Sequence, residues 1–415
     1  MYIRRELETK IKPFLNRKEA LAITGPRQAG KTTFIGHLQK ELEAAGKKVK
    51  FITFEKKGDL DLFSNSIEDF KTLAQNYDCV IIDEFQYAKD AGQKLKYLYD
   101  TIKTKFIVSG SSSLELTFQT GKYMVGRLLD FELMPFSFGE YLPVVDADLA
   151  ALRAKKTRSK SVFDFEVTEG FGEEITRRLA DALEKYAVWG GYPACVLSKT
   201  DLEKQKILEG IVEKYLLQDI KDLLGLATGD ELMKIARFLA LQTGNLVNFS
   251  ELGEASGLAH KEVLKHINIL EKTFILNLIR PFFTNRRTEL VKNPKSYFVD
   301  SGLRNFLISD FRELQNRNDA GAVMENHARN LLAAEGFKTN YWRTKSKAEV
   351  DFVVEDKGSV CPVEVKYGSK KIIGKSFYGF LERFNPKTGV ILTRDYLGEE
   401  IIGKTKVKFI PLCYF

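Results

Sequence analysis

The sequence predicts an α/β protein whose first part is a parallel sheet, and three observations predict it. Over residues 21–110, short apolar runs at 21–24, 49–54, 79–83 and 106–109 alternate with stretches of helical period. Runs that are apolar at nearly every position suit strands buried on both faces, with helices as the crossovers between parallel neighbours. The first run opens a glycine-rich loop followed by a helix start, and the third ends in two adjacent carboxylates, Asp83 and Glu84. Ligands of open parallel sheets sit at that carboxyl-terminal edge.

The loop is Gly25-Pro26-Arg27-Gln28-Ala29-Gly30-Lys31-Thr32, which fits G-x-x-x-x-G-K-[ST] at every fixed position. Gly25 and Gly30 let the backbone close around an anion, since no Cβ intervenes. The loop N–H groups, with Thr33 following Thr32, and the positive end of the next helix then face phosphates. Lys31 adds a full charge, and the Thr32 hydroxyl is placed for Mg²⁺. Asp83 is expected to hold the Mg²⁺ shell and Glu84 to polarise the attacking water. The fourth strand ends in Ser109-Gly110-Ser111. Ser111 reads either as a γ-phosphate sensor or as a turn serine. Arg127 reads either as an arginine finger, in cis or to a neighbouring copy in a homo-oligomer, or as one half of a structural ion pair.

GPRQAGKTT, VIIDE, VSGSSS, GRLLDFELMPFSFGEYL and WGGYPACVL resemble the prokaryotic AAA+-type ATPases that carry a C-terminal region of uncharacterised function. The resemblance runs over nearly the whole chain. It implies ATP and Mg²⁺ as cofactors, an ASCE-type strand order in residues 1–142 and a small helical lid over residues 143–225. Within that lid, the basic run from Arg153 to Lys160 is expected to be an exposed mobile loop, and the Trp189-Gly190-Gly191-Tyr192 turn to be structural.

Residues 226–312 follow another pattern. An amphipathic stretch from Glu231 to Thr243 precedes two short helices, the first with Ser250 as its expected N-cap, separated by a turn at Gly257. A strand, a polar loop and a second strand then complete a winged helix-turn-helix. From Arg280 to Lys295 the wing holds five cations (Arg280, Arg286, Arg287, Lys292, Lys295) against one acid, Glu289. Such a wing can neutralise DNA phosphates, although winged helices also dock proteins.

Residues 313–415 read as αβββαβ, an order that resembles the restriction-endonuclease-like PD-(D/E)xK core. Glu364 and Lys366 stand at i and i+2 on one strand, so both point to one face. Asp351 on the preceding strand can face the same side. Asp351 and Glu364 are the expected metal ligands, with Glu325 on the first helix as a third and Glu349 as an extra ligand or a decoy. Lys366 is expected to orient the nucleophile and offset transition-state charge. The Pro-Asp pair of that core is absent, since Val350 precedes Asp351.

Composition narrows the setting. The 415 residues are 44% apolar and 29% charged, as in ordinary globular chains. The net charge of +8 suits a polyanionic partner. Four scattered cysteines without C-x-x-C spacing disfavour a zinc site or a disulfide framework and suit the cytoplasm. Neither a signal peptide nor a membrane-spanning run is expected. Two functions follow: an ATP-hydrolysing enzyme acting on DNA with a metal-dependent nuclease-like domain, or an ATP-operated switch that binds DNA or a protein without cleaving nucleic acid.

Overall fold

In the computed structural model, which describes residues 2–110, 121–157, 161–214, 230–282, 292–356 and 358–415, the apolar runs become strands. They are β1 (Ala20–Thr24), β2 (Val49–Thr53), β3 (Cys79–Asp83) and β4 (Lys105–Ser109), joined by β5 (Leu128–Glu132). All pair in parallel, in the order β2-β3-β4-β1-β5. β4 thus separates the strand that feeds the glycine loop from the strand that ends in Asp83. The register sets Ile23 beside Ser109 and Ile82 beside Val108, so Thr24, Asp83 and Ser109 end at one level.

Strand alternation divides the core. Leu21, Ile23, Ile81 and Ile107 pack on one face with Phe34, Ile35 and Leu38 of the helix Lys31–Ala44. Ala22, Val80, Ile82 and Val108 pack on the other with Phe63, Phe70, Leu95 and Leu98. β5 was not expected as a strand. It lies at the sheet edge and carries Asp130 and Glu132, so its sequence lacks the two-sided apolar signal of a central strand.

The chain divides into two compact units: Met1–Phe136 with two short later segments, and Ser137–Leu217, Ala227–Glu271 and Leu276–Phe415. The second unit therefore joins three stretches that the sequence suggested as separate lid, winged-helix and C-terminal domains. The segment expected as a lid is helical, with helices Phe138–Val145, Ala147–Thr157, Glu173–Trp189 and Asp201–Ile211. Its apolar residues Phe138, Leu142, Leu179 and Leu183 share one core with Phe352, Val363 and Leu392. The expected mobile basic loop is corrected as far as Thr157, which ends a helix. There Arg153 donates to the Cys413 carbonyl at 3.3 Å and lies over the Phe138 ring. Residues 158–160 lie outside the described residues.

The Trp189-Gly190-Gly191 turn wraps a buried carboxylate. Asp300 accepts from the Gly191 N–H at 2.7 Å and from the Leu303 N–H at 2.8 Å, capping the helix Ser301–Leu307. Burial pushes its carboxyl up to about 6. The approach is close enough to exclude a side chain: a Cβ on Gly302 would stand 2.0 Å from the Trp189 carbonyl oxygen. Gly302→Ala is expected to destabilise the second unit by about 1–3 kcal/mol. Thermal melting checks it, and an unchanged midpoint would show that the turn yields freely.

Helices Asp230–Leu241, Phe249–Ser256 and His260–Lys272 precede an antiparallel pair, β6 (Leu276–Ile279) and β7 (Lys295–Phe298). Asn248, not Ser250, caps the second of these helices: its side-chain oxygen accepts from the N–H groups of Ser250 and Glu251. Gly257 ends it in the left-handed conformation at φ 74°.

The C-terminal part follows the αβββαβ order and then adds an antiparallel pair. Helix Ala320–Ala334 precedes β8 (Thr339–Arg343), β9 (Glu349–Asp356) and β10 (Ser359–Lys366). Helix Lys375–Phe384 leads to β11 (Thr388–Thr393), β12 (Gly398–Ile402) and β13 (Thr405–Pro411). The sheet order is β12-β13-β11-β10-β9-β8, with β10 and β11 parallel. One face buries Phe352, Val363 and Leu392 against Val323 and Met324; the other buries Val350, Val353 and Ile391 against Phe377 and Phe380. The edge strand β8 is extended by the chain leaving β6, through a bridge between Pro281 and Tyr341. Among the described residues no helix is long and apolar enough to cross a membrane, and all four cysteines are free and buried.

Candidate functional sites

The glycine loop joins the end of β1 to the helix that starts at Lys31. Gly25 has φ +143°, and a Cβ there would stand 2.2 Å from the Leu133 carbonyl oxygen, so only glycine fits. Gly30, at φ +94°, turns the chain into the helix. Lys31 is buried, and its Nζ donates to the Gly25 and Pro26 carbonyls at 2.9 and 2.8 Å. Burial lowers its pKa to about 8, while Glu84 and Asp83 oppose the shift. Pro26 and Ala29 are buried, Arg27 half-buried, and Gln28, Thr32 and Thr33 exposed.

Asp83 organises the rest. Its Oδ2 accepts from the Thr32 hydroxyl at 2.8 Å, and its Oδ1 accepts from the Ser109 hydroxyl and from the Glu84 N–H at 3.1 Å. Glu84 adopts the left-handed region at φ 53°, which turns the chain just past the strand. Its carboxylate accepts from the Gln86 amide, and burial raises its pKa. A hydroxyl and a carboxylate converging beside a buried ammonium fit a magnesium-bound phosphate chain.

The sequence missed two residues here. Ser109, fully buried, holds Asp83; Ser111, named as the sensor candidate, lies outside the described residues. Arg5, 5% exposed, donates from Nη1 to the Ala29 carbonyl at 3.0 Å and from Nη2 to the Met134 carbonyl, with Phe136 against its guanidinium. It braces the loop from beneath. Nothing in MYIRRELETK marks it, because the contact exists only after folding.

Arg127 is an ion-pair residue in this structure. Its Nε lies 2.9 Å from Asp100, and its carbonyl accepts from the Ala20 N–H at the start of β1. The glycine loop leaves the other end of that strand. A finger acting in cis is therefore corrected: Arg127 stands at the opposite edge of the sheet.

The second constellation lies in the C-terminal sheet. Trp342 pairs with Val350 but Asn340 with Val353, so β9 carries one extra residue beside Asp351. Such a bulge re-aims side chains. The Asp351 Oδ2 accepts from the Val365 N–H at 2.8 Å. Lys366 lies 2.7 Å from Glu364 Oε1, and the other Glu364 oxygen, Oε2, is buried without a hydrogen-bond partner. Burial and the Asp351 charge push the Glu364 carboxyl up to about 7, and burial raises that of Asp351. A cleft of about 520 Å³, lined by Lys366, Tyr367, Ser369, Lys370 and Ile372, opens beside this group.

Glu325 does not form a compact triad with Asp351 and Glu364 in this structure. It stands on the helix packed against one face of the sheet, while Glu364 lies beneath Gly374 at the helix on the other; burial, with the Asp351 charge still reaching it, raises the Glu325 carboxyl to about 7. Among the described residues, the one set of three acidic, histidine or cysteine side chains with ligand atoms all within 4.8 Å is Glu8, His37 and Glu41. Glu325 Oε1 instead accepts from the Tyr297 hydroxyl at 2.6 Å and meets Lys295 Nζ at 3.3 Å. Lys295 also lies 2.6 Å from Glu349, whose other oxygen pairs with Arg343 at 2.6 Å. Lys295, counted as a phosphate-facing wing cation, is 2% exposed and leaves that count. Arg286 and Arg287 lie outside the described residues; Arg280 and Lys292 are exposed. The missed signal was the i, i+2 spacing of Lys295 and Tyr297, which puts both on one face of β7.

With this geometry in hand, comparison with known proteins defines the class of the first unit. Residues 17–142 match an AAA domain. The fold and the glycine loop agree: this is a nucleotide-binding P-loop domain of the AAA+ type. Residues 180–320 and 320–415 match two domains of unknown function, DUF8612 and DUF4143.

An uncharacterized protein of Haemophilus influenzae is 24% identical over 363 residues, covering 83% of this chain and 82% of its own. Another, of Methanocaldococcus jannaschii, is 21% identical over 423 residues, covering 98% and 86%. Among solved structures, the replication initiator DnaA bound to AMPPCP and single-stranded DNA aligns at 15% identity over 65% of this chain and 90% of its own, with TM-score 0.29. The Aeropyrum pernix Orc1 protein in complex with DNA aligns at 11% over 75% and 93%, with TM-score 0.31. At such scores these alignments do not establish a common overall architecture.

Proposed function

We propose that this protein hydrolyses ATP in its first unit and acts on DNA through its second, where Asp351, Glu364 and Lys366 form a metal-dependent phosphodiester-cleaving centre. In the first unit, the loop N–H groups and Lys31 bind the phosphates, Thr32 and Asp83 hold Mg²⁺, and Glu84 takes the proton of the attacking water. Ser109 and Arg5 act on these groups indirectly, by fixing Asp83 and the loop.

The observation that carries the nuclease reading is the buried Glu364 Oε2 left without a partner beside Asp351. Buried carboxylates in that state call for a cation or a proton. Asp351 and Glu364 would hold the ion; once bound, a divalent ion supplies an activated water and charge for the leaving oxygen. Lys366, partly exposed and lining the cleft, would meet the scissile phosphate. Lys370 adds a second cation to the same lining. The helix pair ending at Lys272, with the β6–β7 pair after it, has winged-helix order and supports a DNA-holding role. Plasmid nicking by wild type and by Asp351→Asn tests this reading.

The switch reading draws on one observation. Lys295 already neutralises two of the four acids in the C-terminal group, so the site is closed to a wider metal cluster. In that reading the second unit grips DNA or a protein, and ATP turnover sets the grip.

A further inference from the structure

Resting on the reading of Asp351 and Glu364 as a metal pair, we infer that Lys295 is a built-in cation that withholds Glu325 and Glu349 from metal binding, so that the centre takes a single divalent ion. The hydrogen bonds and ion pairs sort the charges into two groups, although Lys295 also attracts Asp351 through space. Lys295 and Arg343 balance Glu325 and Glu349 through contacts of 2.6 to 3.3 Å. Both Glu349 oxygens are engaged, one by each cation, and Glu325 Oε1 is shared between Lys295 and the Tyr297 hydroxyl. The second group, Asp351, Glu364 and Lys366, keeps a net negative charge and the unpartnered Glu364 oxygen.

The backbone fixes Lys295 in place. It pairs with Ile279 across β6 and β7 and bridges to Leu246, and its side chain is 2% exposed. An ammonium spreads three donors over the carboxylates that a metal would otherwise take. A second divalent ion at Glu325 and Glu349 would have to displace a buried charge already paired with both carboxylates. One ion with two carboxylates, completed by water and a substrate phosphate, is an ordinary donor set for Mg²⁺. The hairpin strand β7 is thus part of the centre: it sets the metal stoichiometry.

The test is calorimetric titration of the nucleotide-free, full-length protein with Mn²⁺, counting the ions that depend on Asp351 by comparison with Asp351→Asn. Wild type is expected to bind one such ion. Glu325→Gln, which keeps the side-chain shape, is expected to retain it with unchanged affinity. Lys295→Met is expected to bind one ion more than wild type in the total count. If Glu325→Gln loses the ion as completely as Asp351→Asn, Glu325 is a ligand and the inference fails while the metal pair stands. Two Asp351-dependent ions in wild type, or a folded Lys295→Met that binds no more ions than wild type, overturn it equally. Should Lys295→Met not fold, Glu325→Gln decides. A wild type that binds no ion, or one indifferent to Asp351→Asn, removes the metal pair itself, and the inference with it.

Discussion

Glu84→Gln is expected to bind ATP and barely hydrolyse it, with kcat lowered by about 10²–10⁴-fold, the range for removing a positioned general base. The reasoning starts from placement. Glu84 follows the strand that ends in Asp83 and turns out of it in the left-handed region, so its carboxylate belongs to the site without sharing the Asp83 contacts to Thr32 and Ser109. Burial raises its pKa, as suits a group that must accept a proton. Glutamine keeps the shape and the bond with Gln86 but cannot take that proton. Lys31→Ala is the contrast. It removes the cation meant for the phosphates together with the two bonds to the Gly25 and Pro26 carbonyls, so binding itself should be lost. Phosphate release and ATP affinity, measured side by side, separate the two. Wild-type turnover in Glu84→Gln would remove Glu84 from its role, and wild-type turnover in Lys31→Ala would remove the whole site.

The phosphate loop and the strands around it were legible in the sequence for a physical reason. A loop that wraps an anion needs consecutive backbone donors and glycines at fixed spacing, and a strand buried on both faces must be apolar throughout. What stayed hidden depends on contacts between distant parts of the chain. β5 is an edge strand whose residues are only partly buried on either face. The Arg5 contact with the loop spans 24 residues. The lid-like helices showed their amphipathic period, but period does not say which sheet an apolar face will meet, and theirs meets the C-terminal one. Lys295 is the sharpest case. Its charge was visible and its strand was expected, yet a cation in a basic run reads as solvent-facing unless the acids that receive it, at 325 and 349, are known to lie beside it.

Asp351→Asn is expected to abolish metal-dependent nicking of plasmid DNA, by about 10³-fold or more when the ion that activates water is lost, with ATP turnover unchanged. Asparagine preserves the acceptor for the Val365 N–H but removes the negative charge that a divalent ion requires. Lys366→Ala should reach the same loss by another route. It leaves Asp351 and Glu364 to bind the ion but withdraws the cation that lines the cleft. Glu325→Gln should cut nearly as well as wild type, since that carboxylate belongs to Lys295 and Tyr297 rather than to the ion. The assay needs Mg²⁺ and Mn²⁺, with and without ATP. Nicking confined to chains with both Asp351 and Lys366 locates the chemistry, and a rate that follows ATP joins it to the P-loop domain. Nicking that survives both substitutions places the chemistry outside this sheet. If wild type hydrolyses ATP and binds DNA but leaves it whole under every condition, the second unit is a grip rather than a blade. The Lys295 ion pairs with Glu325 and Glu349 then serve to tie β7 to the helix Ala320–Ala334 and to β9.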